Sequence, residues 1–525
     1  MARIVICDPL HATGVEILHA DGHQVEALDA GDKPLLEARV RGADALIVRS
    51  GTQVTASLMD AAGSGLRIVG RAGVGVDNVD VKAATERGIL VINAPTANLL
   101  SATEHTFALL LALARKVPAA DRALKEQRWD RKAFVGRELW GKTLGIVGFG
   151  RIGERVARRA QAFEMKVLAY DPFLDPDVIR HHGAEPTELD ALLAAADAVT
   201  LHVPMSKSTR NLIDASRLAL MKESSLLINC ARGGVVDEQA LLAALEAGKL
   251  AGAGIDVYAE EPVRDFSLAA HPKVVATPHV GAQTQEAQLR IAEDTARMVS
   301  AALAGSLAVT AVNLPFRPAG REGEPFLRLA ATLGRLAAAL LGAGARKLEV
   351  ALHGVDEVLH GPITVAALTG VLSPVVESVN VVNAARVAES RGIEVATEVQ
   401  APRPGHPFEI ELRLGAAANS VEVAGTLVFG DDPRVVRLDQ HLLEFRPRGY
   451  LLVVRNDDVP GVVGRLGSVL GEAGVNIAAI HLSRQPGSAE AMAVVRVDQR
   501  PAPAVLAQIA NEPPVRRVQA VDMNP

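Results

Sequence analysis

Short apolar runs alternate with helical patterns through the first half of the chain. RIVICD, DALIVRSG, LRIVGRAG and ILVINAP punctuate residues 1–95, and the rhythm predicts βα units around a largely parallel sheet. A long helix follows over about 98–115, apolar on more than one face and therefore buried. Residues 143–282 repeat the alternation with TLGIVG, KVLAYD, AVTLHVP, SLLINCA, AGAGIDV and KVVATP. A further helix over about 284–303 then leads to VNLPFRP, whose prolines mark a domain boundary.

The pattern changes from there on. Between 320 and 445, two apolar helical stretches precede the β-rich runs FEIELRL and VEVAGTLVF, with a turn at GDDPR. The tail (YLLVVRN, GVVGRLGSVLGEAG, VNIAAIHLS, AMAVVRVD, APAVLAQIA, VRRVQAV) reads β-α-β-β-α-β, a ferredoxin-like module of about 75 residues. The expected fold class is α/β: two Rossmann-like doubly wound parallel-sheet domains, then an α+β domain and the ferredoxin-like module.

At 525 residues, and about 100–200 residues per domain, three or four domains are expected. The net charge of −6, without blocks of like charge, gives neither nucleic acid nor an anionic membrane an electrostatic footing. Two cysteines, Cys7 and Cys230, make no disulfide framework and fit a reducing compartment. MARIVICDPL lacks the features of a signal peptide and reads as a first strand. FLRLAATLGRLAAALLGAGA carries Arg328 and Arg335, so it is expected to be a buried amphipathic helix rather than a membrane span. A cytoplasmic protein is expected.

Candidate chemistry begins at GIVGFGRIG. Gly148, Gly150 and Gly153 follow a predicted strand and open a predicted helix, where they suit a tight turn, close approach to a pyrophosphate and close helix–strand contact. Amides near Arg151 and Ile152 would face the phosphates. Asp171, eighteen residues past Gly153, is placed to accept from ribose hydroxyls and to repel a 2′-phosphate, which favours NAD over NADP. Later strand ends bring Arg232 in NCARGGVVDE, Glu261 in DVYAEEP and His279 in TPHVGAQT. A hydroxy acid giving up hydride needs a base for its hydroxyl proton, a cation for its carboxylate and a group that tunes the base. His279, Arg232 and Glu261 suit those roles; Glu261, in contact with His279, would stabilise the imidazolium and raise its pKa. Singly, each has a plainer explanation as a structural His, a surface Arg and a loop acid. Their joint occurrence after a dinucleotide fingerprint points to chemistry.

GRAGVGVDNVD, GIVGFGRIG, NCARGGVVDE, DVYAEEP and PHVGA together resemble the D-isomer-specific 2-hydroxyacid dehydrogenases, and the whole chain resembles the long-form D-3-phosphoglycerate dehydrogenases. The resemblance implies that Arg232, Glu261 and His279 are catalytic. It implies cofactor contacts at Val74, Arg151, Ile152, Asp171, Val203, Cys230, Ala231, Arg232, Asp256, His279, Val280, Gly281 and Ala282, with only a backbone contact secure at Val74. It also implies domains at 1–95 with 283–313 (substrate), 96–282 (NAD, inserted in the former), 317–445 (intervening, allosteric substrate-binding-like) and 449–525 (an ACT regulatory domain).

The phosphate of such a substrate calls for several cationic donors. The resemblance points to Arg49, Arg71 and Asn98, with Ser50 beside them and Arg131 reaching a neighbouring subunit. Asn456, Asp458 and Asn476 match positions that hold serine in related tails. No metal is implied. The implied activity is NAD-dependent oxidation of 3-phospho-D-glycerate, the first step of serine biosynthesis, in a homotetramer. Two other functions compete. A lactate, glyoxylate or hydroxypyruvate enzyme would not need the two extra domains or a cationic cleft. A non-catalytic NAD-sensing corepressor would need a basic surface and partner motifs that the sequence lacks.

Overall fold

The computed structural model describes residues 1–524 apart from 307–309, 318–319, 377–378, 404–406, 418 and 486; Pro318 of the exit segment lies outside them. The chain divides into two compact units, one of Met1–Pro9, Val15–Asn93 and Thr295–Pro525, the other of Leu10–Gly14 and Ala94–Asp294.

The first unit opens with five short strands, β1 (Arg3–Ile6), β2 (Gln24–Ala27), β3 (Ala45–Val48), β4 (Ile68–Arg71) and β5 (Leu90–Asn93). They form a parallel sheet in the order β2-β1-β3-β4-β5. β3 is buried throughout, as its ALIV run requires, whereas the edge strand β2 is partly exposed and its QVEA carries no strand signal. The chain returns to this sheet much later: the Asn93 amide donates to Thr310 O, the Val312 amide to Val91 O, and the Val91 amide to Asn313 Oδ1.

The second unit holds β6 (Thr143–Val147), β7 (Lys166–Tyr170), β8 (Glu185–Pro186), β9 (Ala198–Leu201), β10 (Leu226–Asn229), β11 (Gly252–Ile255) and β12 (Val274–Ala276). Their order, β12-β11-β10-β9-β6-β7-β8, reverses direction between β6 and β9, the switch point at which open α/β sheets bind ligands. The helix Leu99–Arg115 packs on β10 and β11 and against the helix Arg151–Ala162, burying Phe107, Leu109 and Leu110.

Two further sheets complete the first unit. The six strands β13 (Lys347–His353), β14 (Glu394–Gln400), β15 (Glu409–Gly415), β16 (Ser420–Val428), β17 (Asp432–Leu438) and β18 (His441–Phe445) form a mixed sheet ordered β14-β13-β15-β16-β17-β18. Only β15 and β16 match the runs expected from sequence. The turn expected at GDDPR falls on its first two residues: it runs over 429–431, with Phe429 and Gly430 at positive φ, and β17 already includes Asp432 and Pro433. The helices Gly320–Leu341 and Glu357–Leu372 pack on each other, and the former covers the sheet. The former was expected to be buried and amphipathic, and among the described residues no helix is long and apolar enough to cross a membrane.

The tail strands β19 (Tyr450–Asp457), β20 (Ile477–Arg484), β21 (Glu490–Val497) and β22 (Val515–Asp522) form an antiparallel sheet in the ferredoxin-like order β20-β21-β19-β22. One face carries the helices Val462–Glu472 and Pro503–Ala510. The other shares the core of the intervening sheet through Leu451, Val453, Met492, Val494 and Val521, and Gln519 Nε2 donates to Leu340 O.

Candidate active site

The site in the second unit is assembled from the loops and turns at the carboxyl ends of β6, β7, β9, β10, β11 and β12. After β6 the chain turns at Gly148, whose φ of +91° and lack of room (a Cβ would stand 2.7 Å from the His202 carbonyl oxygen) both require glycine. A Cβ at Gly153 would overlap the Gly148 carbonyl oxygen, so the helix Arg151–Ala162 sits tight against the turn with Gly150 at its N-cap. Gly150 offers no side-chain cap, and the first amides of a twelve-residue helix stay available for an anion. Asp171, just past β7, takes the Phe149 amide on Oδ2 (2.9 Å) and the Phe173 amide on Oδ1 (3.0 Å), which aims its carboxylate across the glycine turn. Val203 follows β9, next to that turn. Cradle, helix N-terminus and acid together fit a dinucleotide without a 2′-phosphate.

After β10, Asn229 folds the chain back: its Oδ1 accepts the Ala231 amide and its Nδ2 donates to Arg232 O. Arg232 then lies with Nη1 2.6 Å from Ala231 O. The Cys230 thiol is pushed up to about 12 by burial and by the nearby Asp256 carboxylate, so it stays protonated and is no nucleophile.

The loops after β11 and β12 meet. Glu261 accepts the Tyr258 amide on Oε1 (3.0 Å), and its Oε2 stands 2.7 Å from His279 Nδ1. Tyr258 in turn donates through its hydroxyl to Thr277 O. Burial works to raise the Glu261 pKa, but the hydrogen bonds from His279 and the Tyr258 amide outweigh it and hold the carboxyl below its ordinary range. His279 has a φ of +52°, and its amide donates to Asp256 O. Asp256, 1% exposed, gathers Thr277 Oγ1, the Val280 and Gly281 amides and His105 Nε2 around its carboxylate. Burial again opposes ionisation, and these donors again win, lowering its pKa. Motif reading did not find His105, since a single His within an apolar helix has no spacing signature.

Asn98 caps the start of the helix Leu99–Arg115 without a capping hydrogen bond, and its Oδ1 is buried with no partner among the described residues. Arg131 and its neighbours are exposed. In the first unit, Arg49 and Arg71 stand at the carboxyl ends of β3 and β4. The Arg49 amide donates to the buried Asp8 carboxylate, while burial depresses the Arg49 pKa against the pull of Asp8. Ser50 is exposed, Arg71 folds over Gly73, and Asn93 Nδ2 holds Val74 O.

The tail separates its three candidates. Asp458 pairs with Arg484, and Asn456, beside it, is buried. Asn476 instead bonds Asp498 at the opposite end of the sheet, since β19 and β20 both run antiparallel to β21 with Tyr450 and Ile477 opposite Val497. Six strand residues between the ends make roughly 20 Å. One group of metal-ligand spacing exists among the described residues, His353 with Glu409 and Glu411, but Arg403 already holds both carboxylates at 2.7 Å, Arg437 holds that of Glu411 at 2.7 Å, and the two guanidinium groups take the place of a cation.

Residues 107–281 match the model of the D-isomer specific 2-hydroxyacid dehydrogenase NAD binding domain, 323–439 the D-3-phosphoglycerate dehydrogenase intervening domain and 450–514 the ACT domain. A D-3-phosphoglycerate dehydrogenase from Mycobacterium bovis is 42% identical over 530 residues, covering 99% of both chains. The chain belongs to the D-3-phosphoglycerate dehydrogenases. The enzyme of that name from Methanocaldococcus jannaschii is 37% identical over 528 residues, covering the whole of both chains. Among solved structures, D-lactate dehydrogenase from Aquifex aeolicus, complexed with NAD and lactic acid, matches 58% of this chain and 96% of its own at 32% identity and a TM-score of 0.52. The TT0316 protein of Thermus thermophilus matches 59% and 99% at 36% identity and a TM-score of 0.55. Those structures cover about as much of the chain as its two parallel-sheet regions. The intervening and ACT domains are what this chain adds.

Proposed function

We propose that the chain oxidises 3-phospho-D-glycerate to 3-phosphooxypyruvate with NAD, the first step of L-serine biosynthesis, in the cytoplasm. The observation that carries this is the 2.7 Å contact between Glu261 and His279 on adjacent strand-end loops of the NAD-binding domain. When bound, NAD supplies the acceptor for the C2 hydride; Gly148, Gly150 and Gly153 with the amides at Arg151 and Ile152 take its pyrophosphate, and Asp171 takes its ribose. Val74, Val203, Cys230 and Ala231, Asp256 and the stretch His279–Ala282 would hold the remainder of the cofactor.

His279 removes the proton of the C2 hydroxyl through Nε2, because Nδ1 is committed to Glu261. Glu261 stays ionised and supports the imidazolium that forms. Arg232 holds the substrate carboxylate and the developing carbonyl through its paired donors. Arg49, Ser50 and Arg71 take the phosphate, with Arg131 as a donor to a neighbouring subunit, and Asn98 offers its unfilled Oδ1 to a substrate hydroxyl.

Self-association into a homotetramer is part of the proposal: Val117, Leu124, Trp129, Val135 and Trp140 are exposed within one short segment of the second unit. Serine is proposed as the effector of the ACT domain. Because Asn476 lies at the far end of the sheet from Asn456 and Asp458, the three can meet on one amino acid only when two sheets pair.

The test is NADH formation with 3-phosphoglycerate, compared with D-lactate and glyoxylate, with and without serine. His279→Ala should lower kcat roughly 100- to 10,000-fold, the worth of a general base, and weaken NADH binding by no more than a few-fold. Turnover of D-lactate alone, or wild-type turnover by the His279 variant, would refute the proposal.

A further inference from the structure

We infer that His105 is a positioning residue for the hydride transfer: from the helix Leu99–Arg115 it anchors the Asp256 carboxylate, which in turn fixes the loop that carries His279. The inference rests on the role of His279 proposed above.

Asp256 closes around that loop on both sides of His279. Its Oδ1 accepts from Thr277 Oγ1 (2.6 Å) and the Val280 amide (2.8 Å), its Oδ2 from the Gly281 amide (2.9 Å), and its carbonyl from the His279 amide (2.8 Å). These bonds oppose a local strain. A φ of +52° places His279 in the left-handed region, which costs a non-glycine residue about 1 kcal/mol and persists only where the surroundings over-determine it. Released from Asp256, the residue would relax toward negative φ, and its ring would leave the Glu261 oxygen.

Thr277, Val280 and Gly281 belong to the segment being held and would move with it. Among the described residues, His105 is the side chain that reaches Asp256 from outside these loops. Its Nε2 stands 3.2 Å from Asp256 Oδ1 and 3.0 Å from Thr277 Oγ1. The Thr277 hydroxyl proton is committed to Asp256, so both neighbours face His105 as acceptors and Nε2 must carry the proton that joins them. The helix is a firm base for such a contact, since Phe107, Leu109 and Leu110 are buried against the sheet and the helix Arg151–Ala162. One turn before His105, Ser101 Oγ meets Thr284 Oγ1 at 2.7 Å. A largely apolar helix therefore sends polar side chains to two site loops, and His105 is the one directed at the residues that hold the base's loop.

The experiment is a double-mutant cycle in the full-length protein with His105→Ala, Asp256→Asn and the pair, alongside His105→Gln. The measurements are kcat, KM for 3-phosphoglycerate, NADH binding by fluorescence and Tm. His105→Ala should lower kcat roughly 10- to 100-fold, the span expected for a hydrogen bond to a charged group. KM for 3-phosphoglycerate should stay within about twofold, because its proposed ligands lie elsewhere, and NADH should bind a few-fold more weakly. Gln places its Nε2 donor near that of the imidazole and should recover most of the loss. In the Asp256→Asn background, His105→Ala should add less than about twofold. Full kcat in the Ala variant, a Gln variant as impaired as Ala, or additive effects in the cycle would each overturn the anchor. Should His105→Ala not fold, His105→Asn, whose amide falls short of Asp256, takes its place. Inert wild-type enzyme whose NADH binding still weakens on His105→Ala would retire the substrate and keep the anchor; NADH affinity unchanged across the series would overturn the anchor.

Discussion

Replacing Glu261 by Gln, a change of a single oxygen to an amide nitrogen, should be more damaging than removing the side chain. The carboxylate serves two donors, the Tyr258 amide on Oε1 and His279 Nδ1 on Oε2. A glutamine amide has one oxygen. With that oxygen on Tyr258, the NH2 faces His279, Nδ1 has to accept, and the ring proton moves to Nε2, the atom proposed to take up the substrate proton. With the amide flipped, His279 keeps its tautomer but NH2 opposes the Tyr258 N–H. Leaving that donor unsatisfied costs about 1–3 kcal/mol. In addition, a neutral acceptor supports the imidazolium less than a carboxylate does. Because the His279 and Glu261 side chains are 46% and 36% exposed, solvent screening limits that part to about 1 kcal/mol. The sum, about 2–4 kcal/mol at about 1.4 kcal/mol per decade, is a loss of roughly 30- to 1,000-fold in kcat. Glu261→Ala loses the charge but admits water, which can satisfy both donors, so it should retain more activity than the Gln variant. Initial rates of NADH formation at saturating substrates, with NADH binding measured separately, make the comparison. A Gln variant within threefold of wild type, or one more active than Ala, would show that Glu261 does not set the tautomer of His279.

Asp171→Ala takes the acceptor from two amides as well as from the cofactor ribose, and NADH affinity measured by fluorescence titration should fall about tenfold or more. Gly153→Ala should lower Tm and weaken NADH binding together, since its methyl group can fit only by pushing the helix off the Gly148 turn, at a cost of about 1–3 kcal/mol. Asp256 has a folded pKa below the ordinary carboxylate value, so its stabilising contribution is complete at neutral pH; the unfolded chain takes up the proton first as the pH falls through about 4, and the contribution is lost as the pH drops on through the folded pKa. Urea denaturation at a series of pH values should therefore show a steeper acid loss in wild type than in Asp256→Asn, and equal slopes would contradict it. Cys230, raised to about 12, should resist alkylation by iodoacetamide in the native state at pH 8, as the buried Cys7 should; rapid labelling of either would contradict the burial described.

What the sequence discloses and what it hides divide along a physical line. The glycine turn, the buried strands and the loops bearing Arg232, Glu261 and His279 are set by short stretches, so spacing and apolar runs reveal them. β2 and β14 have no such runs: QVEA and EVATEVQ mix charge with apolar residues because these strands are partly exposed, and pairing rather than composition makes them strands. Pairing also governs the tail. Asn456, Asp458 and Asn476 lie close together in one motif, yet the antiparallel ladders carry Asn476 to the far end of the sheet, a separation set by register alone. His105 is the same problem at the active site. The donor it supplies to Asp256 spans 151 residues of chain and depends on how a buried helix is rotated against β11. A lone histidine in an apolar stretch is ordinarily a satisfied core residue, and His105 is indeed satisfied; its interest comes from which carboxylate satisfies it. If catalytic motifs show which atoms react, the contacts that keep those atoms in place are to be sought on buried helices without motifs, among polar side chains whose partners are the loops that carry the chemistry.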